Sequence, residues 1–104
     1  MVQKMYTVSI LPPAKADLHG IACYIAHELH EPVIARKITG LLKEKIKGLK
    51  DFPFAYREYL PVKPLEDTYR IMPVKNYLVL YVVSDNVVEI RRVVHSRQNY
   101  ESLL

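Results

Sequence analysis

Residues 68–95 read TYRIMPVKNYLVLYVVSDNVVEIRRVVH, and this stretch decides the fold. It holds three runs of β-branched, aliphatic and aromatic residues at 68–74, 77–84 and 87–95. Two-residue breaks, Lys75-Asn76 and Asp85-Asn86, separate them. Runs of that composition with turn residues between them predict three strands joined by tight hairpins, and so an antiparallel arrangement. The middle run, YLVLYVVS, is apolar along its length, which predicts a central strand covered on both faces. The last run alternates. Regular parity puts Val88, Ile90 and Val94 on one face, with Glu89, Arg91, Val93 and His95 on the other.

Working outward, residues 5–10 (MYTVSI) suit a first strand, stopped by Pro12-Pro13. From 14 to 29 the apolar positions Ala14, Leu18, Ile21, Ile25 and Leu29 draw one helical stripe. Gly20 interrupts it at a cost of up to about 1 kcal/mol against Ala, which predicts close packing there. His30-Glu31-Pro32 breaks this helix and begins a second, from 32 to about 50, with a stripe of Ile34, Ile38, Leu41, Leu42, Ile46 and Leu49. Its other positions are basic: Arg36, Lys37, Lys43, Lys45, Lys47 and Lys50 against Glu44. So short a break predicts an antiparallel helical hairpin. Phe52-Pro53 ends it, a short strand is expected at 56–60, and residues 99–104 suit a short terminal helix. The sum is one α+β domain spanning residues 1–104 in the order β-α-α-β-β-β. An antiparallel sheet carries the helical hairpin on one face, and the other face is expected to stay open for binding.

Composition sets the function classes that remain. The chain has 104 residues, half of them hydrophobic and a quarter charged, with eight Tyr, two Phe and no Trp. A single cysteine, Cys23, excludes an internal disulfide and any multi-thiolate metal site; its neighbours Ala22, Ile25 and Ala26 suggest a small buried hydrophobe. Neither a secretory leader nor a membrane-spanning run is recognisable, so a cytoplasmic protein without a membrane partner is expected. The net charge of +4 and pI near 9.2 favour an acidic partner.

Chemistry-bearing residues gather at the end of the last strand, RRVVHSRQNY at 91–100. Histidine can exchange a proton near neutrality, and arginine grips phosphate as a planar charged fork. Parity places Arg91 and His95 on one face, with Arg97 if the strand runs on and Arg70 on a nearby strand. Such a group could bind a phosphodiester and move a proton, and it is also what a solvated strand end carries. Other schemes fail. Three glycines form no phosphate loop. His27 and His30 lack further ligands, and Ser96 points away from its neighbour His95. Glu66-Asp67 reads as turn chemistry.

The stretches ILPPAKADLHGIACYIA (10–26), LLKEKIKGLKDFP (41–53), YRIMPVKNYLVLYVV (69–83) and VEIRRVVHSRQNYESLL (88–104) together resemble the RelE/ParE superfamily of type II toxin–antitoxin toxins, including the group called plasmid stabilisation proteins. The resemblance implies the same fold, no cofactor, and a growth inhibitor neutralised by a cognate antitoxin. Antitoxins of this kind wrap an often acidic segment around the toxin. The target stays open. RelE-like members are metal-independent, ribosome-dependent mRNA endoribonucleases, and this is the preferred expectation. By that resemblance His95, Arg97, Arg70 and Tyr100 would be catalytic, with Arg91, Lys43, Lys47 and Lys50 binding RNA. ParE-like members inhibit DNA gyrase without that set. A third alternative is a low-potency toxin acting in an antitoxin complex, through which alone it would touch operator DNA. One departure counts against the nuclease: Leu78 stands where the ribonucleases typically carry an arginine, and a lost transition-state cation could cost several kcal/mol.

Overall fold

A computed structural model describes residues 5–61 and 64–104; residues 62–63, within the stretch that the sequence reads as strand and loop, lie outside the described residues. Strand β1 (Thr7–Ile10) leads into helix α1 (Pro12–Cys23), which continues as a π-helical turn over Tyr24–Glu28. Helix α2 spans Pro32–Gly48, followed by β2 (Arg70–Val74), β3 (Tyr77–Ser84), β4 (Val87–His95) and a 3₁₀ turn, Glu101–Leu103. Both helices start with proline in the first turn, where the missing N–H would have no helical partner. Left-handed backbone at His30 (φ 54°) turns the chain between them.

The three sequential strands pair as expected. β2–β3 and β3–β4 are antiparallel hairpins, and the first residue of each turn, Lys75 or Asp85, has φ near +54°, the mark of primed hairpin turns. Strand order is β1-β4-β3-β2, and β1 joins parallel to β4. The sheet is therefore mixed, because the helical hairpin returns the chain to the far side. The strand expected at 56–60 reduces to one bridge, Glu58 with Arg70. The terminal helix shrinks to its 3₁₀ turn. The helical stripes hold except at the hairpin tip, where Leu29 and Ile34 are exposed.

Two apolar layers sandwich β3. Between sheet and helices lie Leu18, Leu42, Ile46, Met72, Val79, Tyr81, Val88, Ile90 and Val93. The opposite face, expected to be open, is covered instead. Tyr69, Ile71, Leu80, Val82 and Val94 are buried there beneath Tyr59, Leu65, Leu78, Tyr100 and Leu104. The long connection between α2 and β2 and the C-terminal turn supply that cover. The central strand reads as apolar throughout because both of its faces are in fact dry.

A β-bulge overturns the parity of β4. Leu80 pairs with Arg92 but Tyr81 with Ile90, so Arg91 is the extra residue. Beyond it the alternation slips by one: Val93 joins Val88 and Ile90 on the helix side, and Val94 moves to the opposite layer. Gly20 also departs from expectation. Nothing lies within 4 Å of where its Cβ would stand, so no close packing within the protein requires a glycine.

Candidate functional site

The bulge separates the residues expected to act together. His95, at the end of β4, turns to the helix side, its ring edge-on to Tyr77 with centroids 5.6 Å apart. Its Nδ1 accepts the Arg97 backbone N–H at 3.1 Å. That bond leaves Nε2 as the proton-bearing nitrogen of the neutral ring. Arg97 is exposed, and among the described residues its guanidinium has no ion-pair partner. These two residues are neighbours in space as in sequence.

Arg70 is elsewhere. It pairs with Tyr81, whereas His95 pairs with Tyr77, two strands over. Strand geometry puts the two backbones roughly 13 Å apart along the sheet and roughly 10 Å across it. Arg70 donates to the Tyr56 carbonyl at 2.7 Å, faces Glu58 at 3.4 Å and lies 4.9 Å over the Phe54 ring. It holds the loop after α2 against β2. Tyr100 sits on the opposite side of the sheet from His95, its ring 5.6 Å from Tyr59 in the second apolar layer.

The remaining arginines of the sheet are also engaged. Arg91 donates to Glu89 at 2.8 and 3.2 Å, to Asp67 at 3.3 Å and to the Tyr69 hydroxyl at 3.3 Å. Burial works against its charge, but Glu89, Tyr69 and Asp67 outweigh that and raise its pKa. Glu66-Asp67 is thus more than turn chemistry, since Asp67 helps to neutralise Arg91. Arg92 forms a bidentate pair with Asp17 of α1, at 2.8 and 2.9 Å, which raises its pKa against the opposing effect of burial. The same carboxylate accepts the Val93 N–H at 2.8 Å. β1 stops at Ile10, so this edge of β4 would otherwise be unpaired, and Asp17 stands in for the missing strand. Sequence reading missed this pair; a contact across 75 positions leaves no local signal.

Among the described residues, positive charge without an ion-pair partner therefore lies mainly outside the sheet. Lys43, Lys47 and Lys50 are exposed on or just beyond α2. Lys43 and Lys47 rim two adjoining hollows, one of about 400 Å³ between α1 and α2 at the end of β1 and one of about 490 Å³ between β1 and α2. Their apolar lining comes from Val8, Ile10, Leu18 and Ile46, with Lys15 and His19 at one end and Glu44 as the one acid. β1 is an end strand, so its outer backbone edge borders this groove. Cys23 is half-buried, with its Sγ 3.4 Å from His19 Nε2. Among the described residues no cluster of three or more His, Cys, Asp or Glu could hold a metal, and no helix is long and apolar enough to cross a membrane.

Comparison with solved structures agrees with this architecture. A chain of the chromosomal ParDE toxin–antitoxin system of P. aeruginosa superimposes with a TM-score of 0.74 at 19% identity, over 89% of this chain and 98% of that one. A chain of the RelBE2 toxin–antitoxin complex of Mycobacterium tuberculosis gives 0.57 at 22% identity, over 88% and 98%. Both likenesses concern the fold. Among curated proteins none matches the sequence significantly. The model of the ParE toxin of the type II toxin–antitoxin system parDE matches residues 8–100. With nearly all of its strands and helices inside that match, the chain belongs to the ParE toxin family of type II toxin–antitoxin systems.

Proposed function

We propose that this toxin arrests growth by binding its target, as a ParE-like inhibitor of DNA gyrase, and not by cutting mRNA. The observation that carries this reading is the filled sheet face. A sheet-borne nuclease needs an open floor on which cations and a proton carrier converge around one phosphate. Here that floor is an apolar layer that includes Leu78 and Tyr100. Arg70, Arg91 and Arg92 are each tied to a carboxylate, and His95 faces the other side of the sheet.

Growth arrest by a His95→Ala, Tyr100→Phe double variant tests the proposal. Both substitutions are mild for the fold, since His95 is exposed and Phe retains the ring packing. Arrest equal to wild type is expected. A nuclease deprived of its acid or base would lose roughly 100-fold or more in rate, so a harmless but folded double variant would return the assignment to an mRNA endoribonuclease.

The antitoxin is proposed to dock in the groove between β1 and α2. Its apolar lining and lysine rim complement an acidic amphipathic segment, and the open edge of β1 can pair with an extended one.

A further inference from the structure

The helical hairpin outruns the sheet. The residues that α1 gives to the helix-side core end at Ile21, and those of α2 begin at Ile38. Between them only Ile25 and Ala35 are buried, where the two helices face each other. The tip nevertheless carries three exposed aliphatic side chains, Leu29 and Val33 at 51% and Ile34 at 43%. From this surface and the charges around it we infer that the hairpin tip is a self-association site, where two copies of the chain pack side by side and antiparallel about a two-fold axis. None of these tip residues lines the antitoxin groove, so the inference stands apart from that docking and from the target of the toxin.

Single exposed aliphatics are ordinary on a protein surface, but these three flank one tight turn. Helix propensity does not account for them, since Val33 and Ile34 are β-branched. The charges are ordered along the hairpin. Glu28 and Glu31 lie at its end, and Arg36 and Lys37 follow the aliphatics. At a rise of 1.5 Å per residue, Lys37 stands roughly 9 Å along the α2 axis from Glu31. All four are exposed, and among the described residues none of them forms an ion pair.

Such a surface is complementary to itself. Turned about a two-fold axis through the aliphatics, each copy sets its acids against the bases of the other, as an isologous interface requires. The two acids and two bases also balance within residues 22–37, in a chain whose net charge is +4, so copies meet there with little net repulsion. An acidic antitoxin segment would instead meet Glu28 and Glu31. Pro32 and the left-handed turn at His30 hold the tip in one shape, so little freedom is lost on pairing. The area is small, and a dissociation constant of roughly 10–100 µM suits an interface at the low end of the size range.

Sedimentation velocity of the purified chain, from roughly 5 to 500 µM, tests the site across the expected dissociation constant. The wild type should pass from monomer to dimer over that range. Val33→Glu with Ile34→Glu should stay monomeric throughout, with its far-ultraviolet circular dichroism unchanged. A charge exchange tests the geometry. Glu28→Lys with Glu31→Lys, and separately Arg36→Glu with Lys37→Glu, should each weaken self-association about 10-fold or more. An equimolar mixture of those two variants should dimerise again, because bases then face acids at both ends of the interface. The proposal is overturned by a wild type that is monomeric throughout, by wild-type dimerisation of Val33→Glu with Ile34→Glu, or by a mixture that associates no better than its components. It is also overturned if Val33→Glu with Ile34→Glu, still folded, binds the antitoxin or gyrase about 10-fold more weakly, which would assign the tip to that partner.

Discussion

The Asp17 carboxylate accepts from Arg92 and from the Val93 backbone at once, so the two partners should respond unequally to mutation. Asp17→Ala leaves a part-buried guanidinium and an edge N–H without acceptors, and should cost about 2–4 kcal/mol in urea unfolding. Arg92→Ala leaves Asp17 still bonded to Val93 and should cost less. Equal losses would mean that the backbone bond contributes little. Tyr81 offers a pH test. Fully buried, with its hydroxyl donating to the Pro53 carbonyl at 2.8 Å, it has its pKa pushed up to about 12, mainly by burial. In the unfolded chain it ionises near the ordinary value of about 10. Between those values the unfolded state has lost the proton that the folded state keeps, so stability falls as pH rises from 10 to 12. The loss should approach 2–3 kcal/mol at its upper end. Tyr81→Phe should be less stable at pH 8 but show a shallower decline above pH 10, measured by urea unfolding across that range.

At the level of elements, β3 and β4 were legible to the residue. Their apolar runs and turn residues are local signals, and local hairpins obey them. The bulge at Arg91 was not legible, because alternation in sequence cannot reveal where a partner strand slips. That one extra residue turned His95 and Val93 to the helix side and undid the grouping of His95 with Arg91 that parity had suggested. The parallel place of β1 was equally hidden, since it depends on where the hairpin returns the chain. The basic character of α2 was legible, and its position beside β1 gives it a specific prediction. Lys43→Glu with Lys47→Glu should weaken antitoxin binding at least 10-fold and flatten its salt dependence, as measured by titration at two ionic strengths. Both side chains are exposed, so stability should be unchanged. An unaltered affinity would place the antitoxin elsewhere.

Taken whole, the molecule closes both faces of its sheet, one with helices and one with the connection after α2 and the C-terminal turn. The second layer had only an indirect sequence signal, the unbroken apolar run of β3, which calls for cover on both sides. With the covering segments far apart in the chain, nothing local identified them as the cover. Their presence supports the proposed inhibition by binding, because the surface that a sheet-borne nuclease would use is occupied by side chains of the protein itself. Supercoiling of relaxed plasmid by purified gyrase, with the toxin added in rising molar ratio, tests this most directly. With inhibition by binding, supercoiling should fall as the toxin approaches and passes equimolar with gyrase. Full supercoiling at a several-fold excess of toxin, with ribosome-bound mRNA cut by the same preparation, would contradict it.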